Sequence, residues 1–402
     1  MRKSSNNRKR VLNMIRNKGP IGRAQIARET ELTIPSIMQI TQDFLAMELI
    51  EEVGKGQSTG GKPPILLDLI QDAYYSIGVD VGADNIICVL MDTVNIVARI
   101  ILPTEFEKGF SHVLKQIESA IENVLGKLER NSDKLIGIGV AVPGLLDMQM
   151  KKVLFSPDIG WKDVDIITPL KEQFKTYVCI ENATRATAYG EKLFGCTKDI
   201  DNYMCVNLGY GIGGALVFNG KIHAGQSGTA GELGHMTVVP DGPVCDCGNK
   251  GCLEAVASAR AVVRDMKNRI AEGEHSILQD ELGEDLEGLD AKVIYDAAKK
   301  GDPLATAIVE NSIEVIGRTL AGIINLLDCE MIVLEGGVSR NGEYFLERLH
   351  KAVEMHKMNC AGRDTKIVVS TLGVNATAIG AASIVVNQLL EGEEEVVNLL
   401  TT

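Results

Sequence analysis

Two well-separated stretches of this sequence repeat one pattern of apolar runs and glycine turns. Residues 75–102 read as a strand, an Asp80-Val81-Gly82 turn, a second strand, and a third strand over Asn95–Leu102. Residues 203–224 repeat the order with Met204–Leu208, a Gly209–Gly214 turn, Ala215–Phe218 and Lys221–Ala224. Each copy is answered later by an apolar strand ending in a glycine turn: Ile136–Val142 before Pro143-Gly144, and Met331–Leu334 before Gly336-Gly337. Helical segments lie between, including Phe110–Leu128 and Ile313–Leu327. A duplicated β-β-β-α-β unit predicts an α/β body of two similar lobes. A cleft between such lobes is a default ligand site.

Composition bounds the rest. Hydrophobic residues make up 45% of the 402, enough to bury a large core and exclude wholesale disorder. No apolar run reaches the roughly 20 residues expected of a membrane span. The opening MRKSSNNRKR is basic, but polar residues return too soon for a secretory signal. Nine cysteines without such a signal point to reduced thiols or a metal site, and to a cytoplasmic protein. Charge is uneven: residues 1–62 carry 11 Lys+Arg against 6 Asp+Glu, and the remainder 30 against 48. A basic head on an acidic body suggests nucleic acid at the head and another task for the body.

The head reads as three helices and a hairpin. Arg8–Asn17 carries Val11, Leu12 and Ile15 at helical spacing and stops at Gly19-Pro20; Arg23–Thr30 turns Ala24, Ile26 and Ala27 inward. Thr33 caps a third helix with Pro35 in its first turn, running to about Met47 and burying Ile37, Ile40, Phe44 and Leu45. Strands at Leu49–Val53 and Ile65–Leu69 flank the basic, glycine-rich loop GKGQSTGGKPP. This is the order of a winged helix-turn-helix. Ser36, Gln39 and Gln42 would then face the major groove, with Lys55 and Lys62 of the wing on phosphates. A small helical protein-binding module is the alternative, and the basic wing favours operator DNA.

The densest chemistry lies in His235, Cys245, Cys247 and Cys252. One imidazole and three thiolates close a tetrahedral Zn²⁺ site and leave no position for water, so the zinc is expected to be structural. The competing reading is a chance cluster of reduced thiols. Cysteines 88, 179, 196, 205, 329 and 360 lie mostly in apolar strands or helices and read as core. Glu232 in GELGH, Glu254 in GCLE and Glu181-Asn182 after the strand Tyr177–Ile180 add planar polar groups suited to sugar hydroxyls. Taken singly, each reads as an ordinary surface residue. GYGIGG has a GxGxxG-like spacing, but a strand follows it rather than a helix, against a dinucleotide site. Its Gly211–Gly214 part reads as a tight hairpin turn.

The segment GTAGELGHMTVVPDGPVCDCGNKGCLEAVAS resembles the signature of the ROK family of repressors and sugar kinases. LGYGIGGALVFNGKIHAGQSG, VAVPGLLD, FSPDIGWKDVDI, IENATRATAYGE and VLEGGVS are similar to the same family along essentially the whole chain. The winged head with STGGKPP resembles its DNA-binding, xylose-repressor-like branch. The resemblance implies a winged helix-turn-helix over 1–70 and an actin-like, hexokinase-like body of two lobes. Lobe 1 would span 74–186, completed by a C-terminal helix over 375–391. Lobe 2 would span 187–374, with the zinc segment at 235–252. The resemblance carries sugar contacts to Asn182, Glu232, His235 and Glu254, and zinc to His235, Cys245, Cys247 and Cys252.

Kinase chemistry needs more than this set. Kinases of the family carry Asp after the Asn of the E-N motif, where this chain has Ala183, and a methyl cannot accept a proton. The first phosphate loop, Asp-x-Gly-Gly-Thr in kinases, reads Asp80-Val81-Gly82-Ala83-Asp84 here, and Asp84 repels a phosphate. Tyr210 adds bulk to the second loop. The expectation is a non-enzymatic, sugar-responsive repressor of carbohydrate-utilisation genes, acting as a homodimer or homotetramer with no membrane partner. A sugar kinase carrying a DNA-binding head is the second reading, and a zinc-stabilised interaction protein the third.

Overall fold

Helix α1 (Arg2–Lys18) begins before the predicted Arg8 and buries Val11, Leu12 and Ile15. A two-residue strand β1 (Ile21–Gly22), absent from the sequence reading, leads into α2 (Arg23–Thr30). Ala24 is exposed rather than inward, because Ile26, Ala27 and Thr30 define the buried face and Ala24 lies off it at helical spacing. Helix α3 (Ile34–Ala46) starts as predicted, with Thr33 Oγ1 accepting from Ser36 N at 3.4 Å and Pro35 in the first turn. Leu45, expected on the buried face, is only half-buried. Strands β2 (Ile50–Lys55) and β3 (Ile65–Leu69) form the wing hairpin, in a sheet of order β1-β3-β2.

The computed structural model describes residues 2–57, 63–128, 132–147, 151–283, 285–359, 365–391 and 396. They fall into two compact units, the first from residues up to 194 plus those from 375 onward, the second from 195–374. Beyond the head, the first unit contains β4 (Tyr75–Val81), β5 (Asn85–Met91), β6 (Ile96–Pro103), α4 (Phe110–Leu125) and β7 (Leu135–Val142). A small antiparallel sheet follows, β8 (Leu145–Asp147), β9 (Lys152–Ser156) and β10 (Trp161–Val164), then α5 (Ile167–Phe174), β11 (Val178–Asn182) and α6 (Ala183–Leu193). Helix α6 runs unbroken through residues 186 and 187 and lies wholly in this unit. The main sheet has order β11-β7-β4-β5-β6, parallel through β11, β7 and β4 and antiparallel through β4, β5 and β6. One face, with Ile77, Val79, Val81, Ile138 and Val140, packs on Val113, Ile117 and Ile121 of α4.

The second unit repeats that sheet. Strands β12 (Tyr203–Leu208), β13 (Ile212–Phe218), β14 (Lys221–Ile222), β15 (Met331–Glu335) and β16 (Lys366–Val369) take the order β14-β13-β12-β15-β16. The glycine turn is shorter than predicted: Gly209 N donates to Gly211 O at 3.0 Å, and Ile212, Gly213 and Gly214 already pair with Leu208, Asn207 and Val206. The helices are α7 (Leu253–Ala257), α8 (Ala259–Ala271), α9 (Ile277–Leu282), α10 (Ala291–Lys299), α11 (Pro303–Leu327) and α12 (Glu343–His356). Asp302 caps α11 through Ala305 N, so the helix starts at Pro303, ten residues ahead of the 313 start read from the apolar spacing. Val206, Leu208, Ile332 and Leu334 share one core with Ile313, Ile316, Leu320 and Ile324 of α11.

The last helix, α13 (Ala376–Glu391), returns to the first unit and covers the other face of its sheet. Its approach is backbone to backbone: a Cβ on Gly78 would lie 1.9 Å from Ala378 O, and one on Gly139 2.0 Å from Ala381 O. Gly373–Glu391, at 19 residues, is long and apolar enough to cross a membrane by length and composition alone, and most of it is buried. Its Ala, Gly, Ser and Thr residues suit such close packing against a sheet.

Candidate functional site

The four predicted metal ligands meet in the second unit. His235 ends a short 3₁₀ turn over Leu233–His235, Cys245 and Cys247 lie on the following loop, and Cys252 caps α7. Their ligand atoms all lie within 4.8 Å of one another. His235 Nδ1 is 3.6 Å from Cys245 Sγ, and Cys247 Sγ is 3.7 Å from Cys252 Sγ. Sulfurs about 2.3 Å from one tetrahedral ion would stand about 3.8 Å apart, so the donor set fits a metal ion. Burial, with the neighbouring thiols adding to it, pushes the Cys252 thiol up to about 12. Gly251 lets the loop close, since a Cβ there would lie 1.7 Å from Val239 O.

The other nitrogen of His235 faces a carboxylate. Nε2 lies 3.9 Å from Glu232 Oε2, so the ring stands between the thiols and Glu232. Gly234, between these two residues, passes so close to β13 that a Cβ would lie 2.1 Å from Ile212 O and 3.3 Å from Glu254 Cβ. Glu232, His235 and Glu254 therefore do converge. Glu254 is buried and already engaged: Oε2 accepts from Ile212 N at 2.9 Å, and Oε1 lies 3.5 Å from Arg260 Nη2. The sequence reading missed Arg260. Its guanidinium also binds Asp246, between Cys245 and Cys247, and stacks 5.1 Å from the centroid of the Tyr210 ring. No local motif announces that link.

In the first unit, Asn182 is the N-cap of α6. Its Oδ1 accepts from Thr184 N at 3.0 Å and Arg185 N at 3.2 Å, and its Nδ2 donates to Gly144 O at 3.0 Å. Glu181 anchors the junction, accepting from Arg185 Nε at 2.8 Å and from Asn182 N at 2.9 Å. Burial raises the Glu181 carboxyl, and the Arg185 guanidinium opposes the rise. Arg185 was also missed, although its i,i+4 spacing from Glu181 is a readable signal. Ala183 takes the first helical position. Asp80, the last residue but one of β4, lies beside Thr377, and its burial pushes the carboxyl up to about 7. Asp84 is exposed, and its carbonyl accepts from Thr104 N at 3.0 Å.

On the head, Gln39 and Gln42 are exposed and Ser36 is half-buried. Gln39 Nε2 donates to Asp43 Oδ1 at 2.9 Å, and Ser36 Oγ lies 2.9 Å from Thr33 Oγ1. Lys55 is exposed at the end of β2, while Lys62 lies outside the described residues. Ile34 and Met38 add exposed apolar surface to α3. Cys88, Cys205 and Cys329 are buried as expected, Cys179 and Cys196 are half-buried, and Cys360 lies outside the described residues.

Residues 76–388 match the model of the ROK family. The xylose repressor of Bacillus subtilis is 30% identical over 388 residues, covering 96% of each chain. The DNA-binding transcriptional dual regulator NagC of Escherichia coli is 30% identical over 385 residues, 95% of this chain and 92% of NagC. The crystal structure of a ROK family transcriptional regulator, a homolog of the E. coli Mlc protein, superposes with a TM-score of 0.80 at 29% identity, over 99% of this chain and 100% of that one. ROK family sugar kinases are structural neighbours too, over a smaller share of the chain. This chain belongs to the ROK family.

Proposed function

We propose that this protein is a sugar-responsive transcriptional repressor of carbohydrate-utilisation genes. The observation that carries the reading is the reach of the similarity. At 30% identity in each, it covers 96% of this chain in the xylose repressor and 95% in NagC, too much to leave out the winged head. The head binds operator DNA through Gln39, Gln42 and Ser36 in the major groove and Lys55 and Lys62 on phosphates. The sugar contacts are Asn182 in the first unit and Glu232, His235 and Glu254 in the second. A structural Zn²⁺ held by His235 Nδ1 and the three thiolates fixes the His235 ring, leaving Nε2 and Glu232 to take sugar hydroxyls. A cytoplasmic homodimer or homotetramer meets a two-fold operator.

Kinase activity is the second reading, supported by the kinase neighbours. Ala183 opposes it, since the first residue of α6 has no group to take a proton from a sugar hydroxyl. Fluorescence anisotropy on DNA from the protein's own upstream region, titrated with D-xylose, D-glucose and N-acetylglucosamine without ATP, tests the proposal. One sugar should shift the DNA affinity, and Glu232→Ala should abolish that shift. DNA binding that no sugar alters, joined to sugar-dependent ADP release at about 1–100 per second in a separate coupled assay supplied with ATP, would establish the kinase reading instead.

A further inference from the structure

Helix α6 is held by different partners at its two ends. Its N-cap is Asn182, assigned above to sugar, and its last turn is gripped by the head. Asn13 Nδ2 of α1 donates to Lys192 O at 3.4 Å, and Arg16 Nη1 donates to Leu193 O at 3.4 Å. The Arg16 guanidinium also lies 4.7 Å from the centroid of the Phe194 ring, directly after the helix. A helix leaves its last carbonyls without internal partners, and a cation there faces the negative end of the dipole. The head thus caps a helix of the body from 177 residues away in sequence.

Arg16 is poorly satisfied in this position. Among the described residues its Nε and Nη2, like the buried Tyr74 hydroxyl, lack a hydrogen bond of good geometry; burial pushes the guanidinium down, and Tyr74 opposes the fall. The partners of Arg16 among the described residues are Tyr74, Asn13, the Leu193 carbonyl and the Phe194 ring, and no carboxylate is among them. A buried cation with unfilled donors is costly, so the contact is finely balanced and a small displacement of α6 changes its worth.

The body of α6 is closely packed between its two ends. Helix α6 has 11 residues, a rod of about 16 Å. It packs on α13 backbone to backbone: a Cβ on Gly380 would lie 1.9 Å from Ala186 O, and one on Gly190 3.0 Å from the Gly380 backbone. Helix α13 in turn ends at Glu391, which accepts from Lys9 Nζ of α1 at 3.2 Å. Val11, Leu12 and Ile15 share a core with Val385, Leu389 and Leu390 of the same helix. The pair α6–α13 carries α1 at its far end.

We propose that Arg16 and Asn13 couple sugar at Asn182 to the placement of the DNA-binding head, with α6 as the rod between them. The inference rests on the assignment of Asn182 to sugar. A hydroxyl there draws on the side-chain atoms that hold the first turn of α6 and Gly144, so occupancy shifts the helix and the Arg16 contact registers it. Arg16 and Asn13 are positioning residues: they touch neither sugar nor DNA in this scheme.

The test compares full-length wild type with Arg16→Gln, Asn13→Ala and Phe194→Leu. Calorimetry measures binding of D-xylose, D-glucose and N-acetylglucosamine to the free proteins. Anisotropy measures DNA affinity with and without each sugar. The wild-type ratio of the two DNA affinities is expected at about 5–150-fold, falling to about 1–2 in the variants while their sugar affinity stays within about twofold. Phe194→Leu guards against a folding artefact, because it loosens the guanidinium while leaving α1 unaltered. Variants that fold and keep the wild-type ratio overturn the coupling alone. A wild type that binds none of these sugars, or whose DNA affinity ignores them, overturns the sugar-response reading and this inference with it.

Discussion

In the first unit the parallel pair β4–β7 sets Gly78 opposite Gly139, whereas the matching pair β12–β15 of the second unit sets Cys205 opposite Val333. The sheets are otherwise alike in strand order and direction. Two glycines leave a bare strip of backbone, and α13 lies on it at a distance no side chain would allow. The second unit keeps side chains at these positions, both fully buried, and draws its main core from the 25-residue α11. The two copies have thus specialised in opposite ways. One is a tight stack of strands and two helices that carries the head. The other is a side-chain core that supports a metal cluster and a set of polar groups.

Installing the second unit's residue in the first tests this contrast most severely. Gly139→Val would push a Cβ into the Ala381 carbonyl, and neither a strand nor a buried helix can yield by that much. The expected cost is more than about 4–5 kcal/mol, read as loss of the first unit's thermal transition and of soluble protein. Val333→Ala, at the matching place, should cost about 1–3 kcal/mol. Similar losses from the two changes would end the comparison.

That contrast also marks the limit of what the sequence reveals. Strands β4 to β7 and their repeats are legible because apolar runs end at glycine turns, and α2 and α3 because Thr33, Pro35 and apolar spacing define them. The metal ligands are legible because three of the nine thiols and one imidazole fall together within residues 235–252, a full tetrahedral set in one short segment. What is hidden is partnership at a distance. Gly78 and Gly139 read as weak strand residues until α13 is seen on them, and Arg16 reads as a basic head residue until Leu193 and Phe194 are seen beside it. Arg260 is hidden for the same reason: its partners Asp246, Glu254 and Tyr210 are set by loop closure, which local spacing does not encode.

A smaller effect, confined to the other half, is expected from the metal cluster. Cys252→Ser should remove one bound zinc per chain and lower only the second unit's transition. A ligand at a thousandfold its dissociation constant stabilises by about 4 kcal/mol, which sets the scale of the loss. The check is metal content by mass spectrometry, with calorimetry in the presence and absence of a chelator. An equal fall in the first unit's transition would mean that the two halves do not keep their stability separately.

The smallest expected effect again exchanges matching residues. Asp80 pairs with Ala141 near the end of β4, where Asn207 pairs with Glu335 in the second unit. Burial beside Thr377 pushes the Asp80 carboxyl up to about 7. An acid raised on folding binds a proton more tightly in the folded state. As pH climbs from about 4 towards 7, the unfolded chain gains by ionising first, and the first unit loses stability. A rise of this size caps the loss at roughly 4 kcal/mol. The residue as a whole is only half-buried, so about 1–2 kcal/mol is expected. Asp80→Asn should therefore stabilise the first unit at pH 8 and leave it nearly unchanged at pH 4. A variant with the wild-type pH slope would mean that Asp80 is hydrated in the folded protein, and that the strip under α13 is less closely sealed at this end than at Gly78 and Gly139.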